Sequence, residues 1–318
     1  MQKNIPSLLT FTPAIRNYVW GGRALLPLAG LDAEKNDDPI AEVWALYEDN
    51  PVNAGVFAGR TLAELVTEYP DEILGAHGKE QANKHFPLLI KLLDCERWLS
   101  LQVHPNDEQA RQMEGAQFVG KTEAWHILRA QPDAQLIAGI KPNIPAETVH
   151  AAIGNESILD LVEYHHVQTN DTIFMPAGTI HALGPGLLVY EVQQTSDLTY
   201  RVFDWNRPQT NGRVLHVEKS IAVTDPQSQG KITHPQSLGN AILAQCPYFQ
   251  LETLVTPQER DTRGESFHAL TVIVGEARIV THDGEAVLRK FDTVLIPAVG
   301  GKYHLDGNFQ ILCSSLSG

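Results

Sequence analysis

Short segments rich in β-branched and aromatic residues dominate the hydrophobic pattern of this 318-residue chain, and Gly, Pro, Asn and Asp separate them. Such segments are typical of β-strands, and many short strands between turn residues indicate a β-sandwich or barrel. The strands that this pattern predicts are 98–104, 136–140, 171–175, 187–192, 200–203, 249–255, 270–274, 277–281 and 293–296. The sequence therefore predicts a mainly β fold.

Helical patterns are few and short. Thr61 is placed to cap a helix over 61–74, which Pro70 must kink or end. Asn106 is placed to cap a second helix that runs to residue 113. The other predicted helices are one with Pro145 at its first position and one at 157–162. All lie between the strands of the first two-thirds, so we expect short helices inserted in and around an N-terminal barrel.

A polar stretch at 224–240, with two prolines and two glycines, predicts a boundary between domains. We expect a larger domain over 1–225, a linker at 226–240 and a C-terminal barrel over 241–318. A weak internal repeat, Asp-Thr-Ile-Phe-Met-Pro-Ala at 171–177 and Asp-Thr-Val-Leu-Ile-Pro-Ala at 292–298, favours two copies of one β-fold. The same pattern describes any buried strand between two turns, so convergence is the alternative.

The composition of the chain bears on its cellular location and on its binding partners. The chain has 43% hydrophobic and 19% charged residues, no continuous apolar run suited to a membrane span, and no signal-like N-terminal core, so we expect a cytoplasmic protein. The three scattered cysteines, Cys95, Cys246 and Cys313, are expected to be buried thiols. A net charge of −14 argues against nucleic-acid and membrane partners. An anionic small molecule would need a local cluster of cations.

Polar and apolar residues alternate along the predicted strand 98–104. Ser100, Gln102 and His104 share one face of it, and the residues between them are all apolar. The plain interpretation is a half-exposed sheet. If the polar face points into a barrel, however, the amide and the imidazole need partners there, and a metal ion is one such partner.

Lys121 and Glu123 share a face of the next polar segment, 120–128. As a surface ion pair they would contribute little to stability. Glu123 and His126 are three residues apart, a spacing that suits a ligand pair on a helix better than on a strand. We therefore favour Glu123 as a metal ligand and His126 as a core or supporting residue.

His181 follows a Pro-Ala-Gly turn that can return an imidazole toward the interior of a barrel. Alone, such a histidine is more often structural. With Gln102, His104 and Glu123 it completes a set of two imidazoles, one carboxylate and one neutral oxygen, which suits a single Zn²⁺ and leaves room for water or substrate. Ligand type alone leaves Mn²⁺, Co²⁺ and Fe²⁺ open.

Longer motifs contain these residues in a fixed order. They are Gln-Val-His-Pro-Asn-Asp at 102–107, Gly-Lys-Thr-Glu-Ala-Trp at 120–125, Pro-Ala-Gly-Thr-Ile-His-Ala at 176–182 and Tyr-Glu-Val-Gln-Gln-Thr-Ser-Asp-Leu-Thr-Tyr-Arg at 190–201. Together they resemble the type I phosphomannose isomerases in their shorter bacterial form, as do Tyr-Val-Trp-Gly-Gly at 18–22 and Phe-Pro-Leu-Leu-Ile-Lys-Leu-Leu at 86–93. The resemblance covers about 11–225. The remainder resembles only the family's second barrel.

The resemblance implies two cupin-like (jelly-roll) β-barrels. It also implies a zinc-dependent isomerase that interconverts mannose 6-phosphate and fructose 6-phosphate by proton transfer through an enediol(ate). One zinc ion per chain would be bound by the residues that match the family's ligands, Gln102, His104, Glu123 and His181. This set is the one that the residues themselves favour.

Substrate-handling residues are likewise implied by the resemblance. Arg201 matches the family's active-site arginine, and its permanent charge suits phosphate or enediolate binding better than proton abstraction. Lys91, Lys121 and Asp197 match residues that line the substrate pocket, and Ser100 matches a serine close to the phosphate. Lys91 stands inside an apolar run, where a charge must find a partner or ligand.

Two features leave the proton carrier open. Longer family members have a histidine, proposed to act in proton transfer, where this chain has Gly120, and the segment 41–48 also departs from the usual pattern. Lys121, Asp197 or a water on the metal would each serve as the base. Asp197 also has a plain interpretation, because 190–201 places alternate polar residues on one face, as on the wet face of an edge strand, and Asp197 could pair with Arg201.

Other functions fit parts of the pattern. A non-catalytic cupin that binds a sugar phosphate or a metal as a regulatory module would keep the metal ligands without the cations. A cupin Fe²⁺ oxygenase usually groups its ligands from a His-x-His pair, whereas this chain has Gln-x-His. His268, His282 and His304 lack a carboxylate at matching spacing, so we expect a metal-free C-terminal barrel. The oligomeric state stays open between a monomer and a weak dimer.

Overall fold

The computed structural model describes residues 4–30, 38–81, 85–209, 213–235 and 237–318. The α-helices are α1 (Leu62–Glu68), α2 (Pro70–Gln81), α3 (Asp107–Glu114), α4 (Ala146–Ala152) and α5 (Val217–Val223), with 3₁₀-helices at Leu26–Ala29, Gly55–Phe57, Glu156–Asp160 and Ala298–Gly300. The strands are β1 (Leu9–Thr10), β2 (Ala14–Arg16), β3 (Glu42–Leu46), β4 (Leu88–Cys95), β5 (Leu101–Val103), β6 (Glu123–Ala130), β7 (Gln135–Ile140), β8 (Val162–His166), β9 (Thr172–Met175), β10 (His181–Leu183), β11 (Leu187–Gln194), β12 (Tyr200–Phe203), β13 (Lys231–Thr233), β14 (Ala241–Gln245), β15 (Gln250–Leu254), β16 (Gln258–Asp261), β17 (His268–Val280), β18 (Glu285–Arg289), β19 (Thr293–Ile296) and β20 (Lys302–Ser315). The predicted mainly β fold with short helices is confirmed.

The chain divides into two compact units. The terminal unit comprises residues 1–15, 43–91 and 235–318, and the central unit comprises 16–42 and 92–234. The junction between 234 and 235 falls inside the stretch 226–240 that the sequence predicts as a linker. The division into domains at that stretch stays a prediction.

The central unit contains two antiparallel sheets. One has the strand order β12-β5-β10-β7-β8, and the other has β13-β9-β6-β11 with the end of β4 beside β11. Trp125 and Ile173 of the second sheet belong to the same buried cluster as Leu136 and Leu183 of the first, so the sheets share a core. Neither sheet closes into a barrel within the described residues, so the predicted N-terminal barrel takes the form of facing open sheets.

The terminal unit is built on a sheet with the order β1-β19-β17-β20-β15-β14, with β16 beside β20 and β18 beside β17. The sequence predicts two strands, 270–274 and 277–281, where the structure has the single long strand β17. The register with β20 shifts between Val272 and Val274, and Gly275 has φ of +75°. The glycine lets the strand bend without ending, which is why a turn signal appears inside it.

Helix ends largely follow the predicted signals. The Thr61 side chain accepts the Glu64 amide in a capping box, and α1 ends before Pro70, which begins α2. Asn106 caps α3 in the same way with Gln109. Pro145 is the residue before α4, not its first helical residue as predicted, and the helix predicted at 157–162 is a 3₁₀ turn.

The predicted internal repeat corresponds to one shared turn. Asp171 accepts the amide of Gln168, and Asp292 accepts the amide of Arg289, each three residues earlier. The residue before each aspartate, Asn170 or Phe291, has φ of +75°. Both copies therefore enter their strand through the same left-handed turn, although duplication itself stays a prediction.

The cysteines are free thiols, and Cys95 and Cys313 are buried as predicted, whereas Cys246 is half-buried. Burial raises the pKa of the Cys95 thiol well above its usual value. No helix in the described part of the chain combines the length and the apolar character that crossing a membrane requires.

Candidate metal centre

The register of three short strands brings predicted site residues side by side. On the five-stranded sheet of the central unit, Gln102 of β5 pairs with His181 of β10 on one side and with Arg201 of β12 on the other. Directly opposed residues in antiparallel strands point to the same face of the sheet. Gln102 therefore lies between the imidazole and the guanidinium of its neighbours.

His104, Glu123 and His181 form a buried cluster whose ligand atoms all lie within 4.8 Å of one another. Glu123 Oε2 is 3.6 Å from His104 Nε2, and Glu123 Oε1 is 3.3 Å from His181 Nε2. Each of the three side chains is at most 1% exposed. It is the one group of this composition found among the described residues.

Hydrogen bonds on the far side of each imidazole orient both rings. His104 Nδ1 lies 2.8 Å from the Leu198 carbonyl oxygen, and His181 Nδ1 lies 2.8 Å from that of Thr179. A carbonyl oxygen only accepts, so each Nδ1 carries the proton and each Nε2 presents its lone pair toward Glu123. Burial, together with the nearby Lys121, lowers the pKa of His181 to about 3, so this ring is neutral at physiological pH.

The Gln102 amide completes the cluster. Its terminal nitrogen lies 3.5 Å from His104 Nε2 and 3.3 Å from His181 Nε2, and Ser100 Oγ donates to its oxygen at 3.4 Å. Two imidazole nitrogens and one buried carboxylate thus converge, with the Gln102 amide beside them. To act as a ligand the amide would present its oxygen, which in this structure faces Ser100. This donor set fits a divalent ion of the zinc type.

Lys121 lies inside the same cluster. Its Nζ is 2.6 Å from Glu123 Oε2 and 3.0 Å from His104 Nε2, and the side chain is buried. A buried carboxylate requires a compensating positive charge, and the lysine supplies one. The site therefore places a mobile proton donor within contact distance of the proposed ligands.

Hydrogen bonds from glycine amides hold the turn before His181 and the loop before Lys121 in place. Gly178 has φ of +86° and its amide donates to the carbonyl of His104 at 2.8 Å, which ties the turn to β5 and returns His181 to the sheet. The Gly120 amide donates to Asp107 Oδ1 at 2.7 Å. These bonds fix both segments from which ligands project.

Comparison with known proteins places the chain in a family. A family profile described as "Phosphomannose isomerase type I, catalytic domain" matches residues 8–126. The mannose-6-phosphate isomerase ManA of Bacillus subtilis is 32% identical over 97% of this chain and 98% of its own length. The chain belongs to the type I phosphomannose isomerase family. A crystal structure of the mannose 6-phosphate isomerase from Bacillus subtilis superposes with a TM-score of 0.84 at 30% identity, covering 96% of this chain and 99% of that one.

A more distant member of the fold carries the metal. A structure described as mannose 6-phosphate isomerase (holo; zinc bound) superposes with a TM-score of 0.75 at 15% identity, over 98% of this chain and all of that one. At that identity the likeness concerns the fold. The metal-site hypothesis for this phosphomannose isomerase family member rests on its own cluster.

The structure places two of the four remaining predicted residues beside the cluster. Ser100 and Arg201 adjoin Gln102, as described above. Asp197 is exposed. Burial lowers the pKa of the Arg201 guanidinium, and the charge of Asp197 acts in the opposite direction. An ion pair between the two residues stays a prediction. Lys91 belongs to the terminal unit, where its buried ammonium lies 5.1 Å from the centre of the Trp44 ring.

Supporting residues behind the cluster were not predicted. Glu191 lies on β11, between β6 and β4, so its face is buried and is not the wet face of an edge strand. Its carboxylate accepts the indole N–H of Trp125 at 2.8 Å, and that indole packs edge-on against His181 at 5.4 Å. Alternation of polar residues was visible in the sequence, but the position of β11 inside the sheet was not.

His126 lies on the other face of β6, as predicted. Its Nδ1 is 2.9 Å from Thr172 Oγ1, and burial lowers its pKa to about 4. It is a core residue and does not join the cluster. Within the described ranges, the three C-terminal histidines belong to no such group. His268 pairs with the Tyr303 hydroxyl at 2.7 Å, and His282 and His304 are exposed.

Proposed function

We propose that this chain interconverts mannose 6-phosphate and fructose 6-phosphate, in the cytoplasm, with one zinc ion bound by Gln102, His104, Glu123 and His181. The observation that carries the proposal is the pair of imidazoles whose Nδ1 atoms donate to main-chain carbonyls and whose Nε2 atoms face a fully buried carboxylate. Membership of the family, whose relatives carry this activity in their names, supports the choice of substrate.

When bound, zinc would supply the positive charge that polarises the carbonyl group of the sugar. The chain's own residues supply orientation and charge around it. Arg201 is half-buried beside Gln102 and is suited to an anionic oxygen of the phosphate or of the enediolate. Ser100 is suited to a hydrogen bond with the phosphate, and Asp197 is proposed to line the substrate pocket. A role for Lys91 in substrate binding stays a prediction.

We propose that Lys121, as the neutral amine, takes the proton from one of C1 and C2 and returns it to the other. The positive charge that it provides for Glu123 in this structure would then be supplied by the bound zinc. Lys121 is buried, and its Nζ lies within hydrogen-bond distance of His104 and Glu123. Asp197, the other side-chain candidate, is exposed. A group that carries the proton must come within about 3 Å of both C1 and C2. This favours the lysine, which is buried beside the proposed metal ligands.

The direct test is an isomerase assay on the purified protein. Fructose 6-phosphate formation from mannose 6-phosphate is measured before chelation, after chelation, and after return of zinc. We expect activity to disappear with the metal and to return with it, together with about one zinc per chain by elemental analysis. Activity that survives complete metal removal would contradict the proposed role of zinc. Inactive zinc-loaded protein that still binds the sugar phosphate would favour the regulatory-module hypothesis.

A further inference from the structure

The main chain of Arg201 is held from both sides. Among the described strands, β12 is at the end of its sheet and pairs with β5 alone. On the other side, the Arg201 amide donates to His216 Nδ1 at 3.1 Å, and the His216 amide donates to the Arg201 carbonyl at 2.9 Å. His216 thus occupies the place that a further strand would take at this one residue.

The geometry of the ladder explains why this contact matters. In an antiparallel pair, alternate residues turn their N–H and C=O groups away from the partner strand. Arg201 is such a residue. It stands opposite Gln102, but its N–H and C=O groups both form hydrogen bonds with His216. On an ordinary edge strand these N–H and C=O groups would bind only water, and the strand could twist. His216 instead fixes the backbone from which the guanidinium projects beside a proposed zinc ligand.

The contact requires an unprotonated Nδ1, because that atom accepts the Arg201 amide. The charged and titratable groups around the ring are Arg201 on β12, Lys219 on α5 and Glu114 on α3, and the Tyr200 ring lies 6.0 Å away. Glu114 is engaged by Lys219 and by the Tyr200 hydroxyl, each at 2.6 Å. Burial and then the two cations lower the pKa of His216 below its usual value.

We propose that His216 is a positioning residue for Arg201, and that proton uptake at its Nδ1 releases the Arg201 backbone and lowers isomerase activity. The proposal rests on the proposed function for its link to activity. At neutral pH the ring is an acceptor and Arg201 is held. In acid, Nδ1 becomes a donor that faces the Arg201 N–H, and a second positive charge appears beside the guanidinium.

Two variants distinguish a role of His216 in positioning Arg201 from a role in packing alone. In His216→Asn the amide oxygen can take the place of Nδ1 and does not titrate. His216→Leu keeps the bulk and has no acceptor. We expect His216→Asn to keep kcat/KM within about threefold of wild type, and His216→Leu to lose about tenfold, with unchanged zinc content and thermal stability within a few degrees.

A double-mutant cycle tests whether His216 acts through Arg201. The loss from His216→Leu is measured in the wild type and in Arg201→Lys. If His216 only positions Arg201, its loss costs little once the guanidinium is gone, and the two effects are far from additive. Additive effects, or a His216→Leu enzyme with wild-type kcat/KM, would overturn the proposal.

The pH dependence is tested with and without turnover. Below neutral pH, kcat/KM of the wild type should fall more steeply than that of His216→Asn. Protonation of the substrate phosphate affects both proteins, whereas protonation of His216 affects only the wild type. Independently of activity, the ¹⁵N–¹H signal of the Arg201 amide should shift as His216 titrates in the wild type and not in His216→Asn. A static Arg201 signal would overturn the proposal even if the protein were no isomerase, whereas an inactive wild type with the expected shift would count against the proposed function alone.

Discussion

At the scale of single residues, the candidate metal centre depends on groups that orient the ligands from behind. The carbonyls of Leu198 and Thr179 fix the two imidazoles, and the Trp125 indole braces His181 against Glu191. Groups of this kind commonly change metal affinity by about 10–100-fold although they never touch the metal. Glu123, whose carboxylate lies beside both histidines, should affect metal affinity more.

Glu123→Gln is expected to weaken zinc binding by more than that range and to abolish most isomerase activity. The change keeps the shape of the side chain but removes the negative charge that lies beside both imidazoles and Lys121. It also leaves that buried ammonium without the carboxylate 2.6 Å away. Zinc affinity is measured by competition with a chromophoric chelator, and activity at saturating zinc.

Glu108→Gln is the matched control, because Glu108 is exposed on α3 and its carboxylate accepts a hydrogen bond from the Gln112 side chain, away from the cluster. It should leave zinc affinity and activity unchanged. A Glu123→Gln protein with wild-type zinc affinity would remove Glu123 from the ligand set.

The residues of the candidate metal cluster could be proposed from the sequence, and the groups that orient them could not. Gln102, His104, Glu123 and His181 each carry a chemistry that few residue types offer, so their spacing is informative. The orienting partners of the two histidines are main-chain carbonyls, which every residue has, and Leu198 and Thr179 carry no mark of that role. Glu191 was visible as a polar position but not as a buried one.

At the scale of elements, the N-terminus of α3 controls the loop that carries Lys121. Gly120 donates to Asp107, the first residue of α3, and a Cβ at Gly120 would lie 2.6 Å from the carbonyl carbon of Asn106. The histidine of the longer family members has no room here unless this helix end moves. The departure at Gly120 is therefore a consequence of how closely α3 packs, and proton transfer must be assigned to another residue.

Gly120→His should accordingly lower stability and activity instead of supplying a missing catalytic group. The clash is with main-chain atoms, which cannot rotate away, so we expect a loss of about 1–3 kcal/mol in the free energy of unfolding. Urea denaturation and the isomerase assay measure the two effects. Gly239→His is the control, because a Cβ there meets no atom within 4 Å. Wild-type stability of Gly120→His would show that the helix end is adaptable.

Element identity was more predictable than element pairing. The caps at Thr61 and Asn106 act locally, within three residues, and both were readable from the sequence. The contact of His181, Gln102 and Arg201 across three strands depends on register between segments about 80 and 100 residues apart, which local patterns do not encode. Helix α5, which follows His216, was missed because its seven residues lie next to the polar stretch taken for a linker.

At the scale of the whole molecule, buried histidines should make stability depend on pH. Burial lowers the pKa of His126, in the central unit, and of His268, in the terminal unit, each from 6.5 to about 4. The unfolded chain therefore binds these protons near pH 6.5, and the folded chain binds them only near pH 4. The stabilisation is fully present above pH 6.5 and is lost as the pH falls toward 4.

We expect the free energy of unfolding of the zinc-free protein to rise with pH between about 4 and 6.5, by up to about 1.4 kcal/mol per pH unit for each such histidine. His126→Asn and His268→Asn remove one titrating group each and keep a polar atom for Thr172 and Tyr303, respectively. Each variant should flatten the slope measured by urea unfolding at several pH values, and exposed His282→Asn should leave it unchanged. If the slopes of the buried-site variants equal that of the wild type, these two rings are already protonated in the fold, and the hydrogen bonds assigned to their neutral forms must be reassigned.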